Sequence, residues 1–165
     1  MKKFFTFLII FIFPIFAVDL KEKLGIGVGW NMPSDFFYYP SFVCGKIGIS
    51  SQFAIEPYLA LWYFSQEKEF EWGIGGIVDY AYRSKEKSNL YLKGGMKLRS
   101  LLLSGKWKYL TTEFIVGLGI EIWLFKNFSI DFSAYTKCGY HKNYEKSSST
   151  LFAHFSYPFA LIFYY

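Results

Sequence analysis

The chain has 165 residues, a formal net charge of +5, and 53% hydrophobic and 24% aromatic residues. One domain fits that length, and so small a positive charge makes no case for a nucleic-acid partner. The aromatic share is far above that of an average soluble protein, yet beyond the N-terminus no apolar run reaches the roughly 20 residues a membrane-spanning helix needs, and no apolar pattern repeats at helical spacing.

Lys2 and Lys3 precede an apolar run from Phe4 to Phe13 that only Thr6 interrupts, and Pro14 then leads to Ala17. A charged start, a short apolar stretch and a small residue make an export signal. Residues 1–17 are therefore expected to be a cleaved signal peptide and residues 18–165 a single exported domain. Cys44 and Cys138 fall on opposite parities of their segments, so they are not expected to pair.

Eight segments then alternate at period two, the spacing of strands with one apolar and one mixed face. The first carries Leu24, Ile26, Val28 and Trp30 on one face and three glycines on the other. The second, about 42–50, sets Val43, Ile47 and Ile49 against Cys44, Lys46 and Gly48. In the third, Phe53, Ile55, Pro57, Leu59 and Leu61 oppose Ala54, Glu56, Tyr58 and Ala60. The fourth sets Phe70, Trp72, Ile74, Val78, Tyr80 and Tyr82 against Glu71, Gly73, Gly75, Asp79 and Arg83. In the fifth, Leu90, Leu92, Met96 and Leu98 oppose Tyr91, Lys93, Lys97 and Arg99. The sixth and seventh repeat the theme around Glu113, Glu121 and Asp131, joined by a tight turn at Lys126-Asn127. The last runs to the final residue with Leu151, Ala153, Phe155, Tyr157, Phe159, Leu161, Phe163 and Tyr165 at every second position.

The connections alternate in length, with the longer members expected at 31–41, 65–69, 101–108 and 139–150. Transmembrane barrels have short periplasmic turns and longer extracellular loops, with aromatic residues banded at both lipid interfaces. With both termini on the periplasmic side, the longer connections all lie outside. Trp30, Trp62, Tyr63, Trp72 and Trp107 then gather at the outer ends of the strands, and Tyr80, Tyr82, Trp123, Phe125, Tyr164 and Tyr165 at the inner ends. A soluble barrel has no reason to sort aromatics this way, and it keeps its apolar residues inside. The pattern predicts an all-β, eight-stranded antiparallel transmembrane β-barrel, an up-and-down meander in the outer membrane of a Gram-negative-type cell.

In this architecture the chain resembles the small eight-stranded outer-membrane barrels of the OmpA transmembrane-domain and OmpX type, over nearly all of residues 18–165. The resemblance implies a non-enzymatic protein without cofactors, either structural in the envelope or binding through its loops. It implies a lumen filled with paired charges, outer-membrane lipid as surroundings, and a C-terminal strand, ending at Tyr165, that the barrel-assembly machinery reads. No subfamily motif points to a particular ligand.

Three sets of residues are candidates for function. An eight-stranded barrel is just wide enough for side chains to fill it, and charges held there need partners. Glu113 and Glu121 facing Lys93, Lys97 and Arg99 is the pairing expected across the sixth and fifth strands. The first connection offers four successive aromatics, Phe36, Phe37, Tyr38 and Tyr39, as a contact surface. The alternative is enzymatic. His154 and Ser156 share a strand face, and a base beside a hydroxyl can activate a nucleophile. Outer-membrane lipid A deacylases are similar in having such a pair, which makes a lipid-modifying enzyme the competing reading. Here both residues point to the lumen by parity, and no acidic residue follows Ser156 to complete a triad. A hydrogen-bonded lumen histidine is the simpler assignment. His141, set among lysines, has too few neighbours for a metal site.

Overall fold

The computed structural model describes residues 21–32, 42–64, 69–85 and 87–165; the expected signal peptide and the aromatic loop Phe36 to Tyr39 lie outside them. Eight strands follow one another: β1 (Leu24–Met32), β2 (Phe42–Gly48), β3 (Phe53–Phe64), β4 (Glu69–Lys85), β5 (Ser88–Leu103), β6 (Lys106–Phe125), β7 (Phe128–Asn143) and β8 (Ser148–Tyr164). Each pairs antiparallel with the next, and β1 pairs with β8, so the sheet closes without an edge.

The register shows how steeply the strands run. From Gly27 the partners pass through Cys44, Tyr58, Gly75, Lys97, Glu113 and Gly139 to Phe152, whereas Gly27 itself pairs with Ile162 on closing the circle. The circuit thus returns 10 residues displaced along β8. Such a stagger requires strands tilted by about 35–45°.

The alternation read from the sequence sets the two faces. Leu24, Ile26, Val43, Ile47, Phe53, Ile55, Leu59, Leu61, Ile74 and Val78 are exposed on the outside, as are Phe155, Tyr157 and Phe163 of β8. The buried set is mixed: Lys46, Glu56, Asp79, Asn89, Lys93, Glu121, Ser129 and Asp131 lie inside beside apolar and aromatic residues such as Tyr58, Ile77, Tyr91, Ile115 and Ile162. An apolar outer wall around a lumen rich in charge is the arrangement that suits a strand barrel to a hydrocarbon surrounding. Cys44 is buried and Cys138 exposed, and both are free thiols.

Two prolines interrupt the wall. Pairing of β2 with β3 lapses between Cys44–Tyr58 and Ile47–Ile55, where Pro57 stands. Pairing of β7 with β8 lapses between Phe132–Phe159 and Tyr135–Ser156, where Pro158 stands. Proline brings no N–H to the ladder, so each gap has a local cause.

Several expectations need correction. The connections expected at 101–108 and 139–150 are strand for most of their length. β5 runs to Leu103 and β6 starts at Lys106, joined by Ser104 and Gly105 with φ of 48° and 78°. Two successive left-handed residues are what a two-residue hairpin turn demands, so the strands continue to the tip. Likewise β7 reaches Asn143 and β8 begins at Ser148. Arg83 does not point inward. A register shift between Ala81 and Arg83 inserts an extra residue, pairs Arg83 with Leu90 on the outer wall, and turns Ser84 inside. Trp123 and Tyr164 are not girdle residues: both are buried inside, stacked with ring centroids 4.4 Å apart. Phe125 and Tyr165, at 73% and 83% exposure, do stand on the outside.

Candidate functional site in the barrel lumen

The inward parity of six consecutive strands brings six ionisable side chains to one level of the lumen: Lys46 (β2), Glu56 (β3), Asp79 (β4), Lys93 (β5), Glu121 (β6) and Asp131 (β7). Lys46 is the hub. Its Nζ lies 2.9 Å from Asp79 Oδ2, 3.0 Å from Glu56 Oε1, 3.2 Å from Asp131 Oδ2 and 3.5 Å from Glu121 Oε2. Lys93 Nζ shares three of those carboxylates, 2.8 Å from Asp131, 3.0 Å from Glu56 and 3.3 Å from Asp79.

Hydrogen bonds hold the acids in place. Ser133 Oγ donates to Asp131 Oδ1 at 2.7 Å. Tyr91 OH donates to Glu121 Oε2 and Ser129 Oγ to Glu121 Oε1, both at 2.6 Å, and Tyr164 OH also donates to Oε1. Asn89 Nδ2 donates to the Tyr91 hydroxyl at 2.9 Å, and the Tyr91 ring lies 4.1 Å from Lys46 Nζ. Asp79 is the exception, since neither carboxylate oxygen accepts a directed hydrogen bond, and its contacts are Coulombic.

Small residues make room for the long lysine stems. A Cβ on Gly119 would meet Lys93 Cε at 2.4 Å, and one on Gly75 would meet Lys97 Cγ at 2.7 Å. Any side chain at Gly119 would displace the arm that carries Lys93 to the acids.

Nearer the end of the barrel that carries the Ser104-Gly105 turn, the ion pairs of Glu113 are longer. Lys97 Nζ sits 3.7 Å from the Tyr58 ring centroid. Glu113 lies 3.7 Å from Arg99 and 3.8 Å from Lys137, and Arg99 also bonds Glu71. Thr111 Oγ1 and His141 Nδ1 share a 2.8 Å hydrogen bond at the rim.

Of the expected pairing, the structure brings Glu113 to Arg99 and places the rest differently. Lys93 turns to Glu56, Asp79 and Asp131, Glu121 goes to Lys46, and Lys97 rests on Tyr58 although it is the ladder partner of Glu113. Ladder neighbours were the basis of the expectation. In a narrow barrel a lysine reaches across the lumen as easily as along the wall, so inward parity was the legible signal and the choice of partner was not.

Glu56, Asp79 and Asp131 offer oxygens within 4.8 Å of one another, the spacing of a cation site. The two ammonium groups already stand among them. His154 is exposed and stacks on Phe152 with centroids 5.4 Å apart, while Ser156 is buried. No hydrogen bond joins the two among the described residues.

No family model and no curated protein matches the sequence. Among solved structures the chain is similar to the N-terminal β-barrel domain of OprF from Pseudomonas aeruginosa, with a TM-score of 0.60 and 9% identity over 88% of this chain and 98% of that one. At that identity the likeness is one of fold. The chain thus has the eight-stranded antiparallel β-barrel fold of an OmpA-like outer-membrane domain.

Proposed function

We propose that the protein is a non-enzymatic outer-membrane barrel whose lumen is plugged by its own charges, serving the envelope structurally and presenting its outer loops for surface contact. The observation that carries this reading is the pairing of an apolar outer wall with a lumen closed by the Lys46 and Lys93 network. An ion crossing the barrel would have to part contacts of about 3 Å between buried charges, each costly to leave alone. In this reading the start of β1, the end of β8 and the short turns face the periplasm, and the hairpin tips at Ser104-Gly105 and at 144–147 face outward. The strand ending at Tyr165 is then available to the assembly machinery from the inside.

The enzymatic alternative lacks support in the geometry, because His154 is exposed, Ser156 is buried, and no hydrogen bond joins them among the described residues. The aromatic loop Phe36 to Tyr39 remains the proposed contact surface on the outside.

The membrane reading is tested by folding the purified protein into lipid vesicles. An unheated sample should migrate faster than a heated one on a denaturing gel and should stay with the vesicles after an alkaline wash. A protein that remains dissolved without detergent and shows one mobility would overturn it.

A further inference from the structure

The bulge in β4 does more than break the inward pattern. By placing Arg83 beside Leu90 it creates a cavity of about 210 Å³ in the outer wall, lined by Arg83, Lys85, Ser88, Leu90 and Ile120. That space far exceeds the roughly 15 Å³ a single water needs. Its lining has two levels: Lys85 and Ser88 lie next to the β4–β5 turn, and Arg83 lies one step deeper, level with the aliphatic Leu90 and Ile120. Lys85 and Ser88 are the last ladder pair before that turn, while Leu90 pairs with Ile120 deeper in.

Among the described residues Arg83 has no ion-pair partner there. Its Nε is shielded from solvent and has no hydrogen-bond partner. Among the described residues no carboxylate lies within ion-pair distance of Arg83 or Lys85, and Glu86 is outside those residues. A guanidinium half-sunk in an apolar wall is costly unless an anion meets it. The rest of this end of the barrel is basic too. Lys21 and Lys23 precede β1, and Lys87 and Lys126 stand in turns, against the single described acid Glu22.

We propose that this cavity binds the headgroup of an anionic phospholipid of the inner leaflet. Arg83, Lys85 and Ser88 hold the phosphodiester, and an acyl chain lies along Leu90 and Ile120. The guanidinium fork fits two phosphate oxygens, the ammonium adds a point charge, and the hydroxyl donates a third contact. A cation-lined pocket with an apolar floor, at headgroup depth, is how membrane proteins select lipids by charge. This inference rests on the reading that the barrel spans the outer membrane with this end toward the periplasm.

Native mass spectrometry of the delipidated, refolded protein in a neutral detergent tests it, with phosphatidylglycerol and phosphatidylcholine offered in equal amounts. The wild type is expected to retain one phosphatidylglycerol in preference to phosphatidylcholine by about tenfold, as two cations at a headgroup imply. The double variant Arg83→Gln/Lys85→Gln should lose that preference, and Lys21→Gln/Lys126→Gln, which removes as much charge from the same rim, should keep it. Equal retention of the two lipids by the wild type would overturn the proposal without any variant. So would an unaffected Arg83→Gln/Lys85→Gln protein, or equal losses in both double variants. Displacement of the lipid by inorganic phosphate would assign the cavity to free phosphate and overturn the lipid. A wild type that fails the gel-mobility and vesicle tests would instead bring down the membrane reading, so the two failures are distinguishable.

Discussion

Lys46 at mid-barrel and Arg99 near the Ser104-Gly105 end each meet more than one carboxylate, but the Lys46 side chain is 1% exposed and that of Arg99 36%. The same chemistry therefore works under different rules at the two levels. Around Lys46 every charge has been taken from water, and its partners are what make its burial tolerable. Arg99 is itself partly open to water, and that exposure weakens its contacts with Glu71 and Glu113 relative to those of Lys46. The Lys46 level is fully buried, whereas at the other level Arg99 keeps one side open to solvent while its partner Glu113 is buried.

The sharpest way to break this comparison is to remove the hub. Lys46→Met leaves four buried carboxylates with Lys93 alone, and should lower unfolding stability in lipid vesicles by about 3–5 kcal/mol. The matched change Arg99→Met should cost at most about 1 kcal/mol. Similar losses in urea titrations of the two variants would erase the distinction between levels. Gly119→Val comes next, because its side chain would collide with the Lys93 stem, and a loss of about 1–3 kcal/mol is expected. Tyr164→Phe removes one of three donors to Glu121 and should cost about 1.5 kcal/mol in the same titration. Raising the salt to about 1 M, where the screening length falls to about 3 Å, should shrink the Arg99→Met penalty and leave that of Lys46→Met unchanged. Smallest of all is His154→Ala, expected within about 0.5 kcal/mol of wild type and without effect on lipid hydrolysis, since His154 is exposed and has no hydrogen bond to Ser156 among the described residues.

Much of this molecule was legible because a barrel wall obeys one simple rule. Period-two alternation placed Glu56, Asp79, Lys93, Glu121 and Asp131 inside and Leu59, Ile74 and Phe155 outside. Where the rule is locally broken, reading failed. Arg83 was misplaced because one inserted residue at the β4 bulge reverses parity, and no residue type there announces a bulge. Trp123 and Tyr164 were read by position at the strand ends, although their own parity already pointed inward, where they stack beneath the network. The hub role of Lys46 was hidden for a different reason. Parity names the face, whereas the partner depends on how far a lysine stem reaches across the lumen past residues such as Gly119. The polar stretches near 104 and 147 looked like loops because exposed strand ends above a membrane need no apolar face. Only the two-residue turn at Ser104-Gly105 shows that the ladder continues.

The closed lumen is tested most directly by single-channel recording of the refolded wild-type protein in a planar lipid bilayer, after gel mobility has shown it to be folded. The paired charges around Lys46 and Lys93 predict a flat baseline with no steady current at either polarity. Stable, reproducible conductance steps from the wild-type protein would contradict a plugged barrel and make the protein a pore.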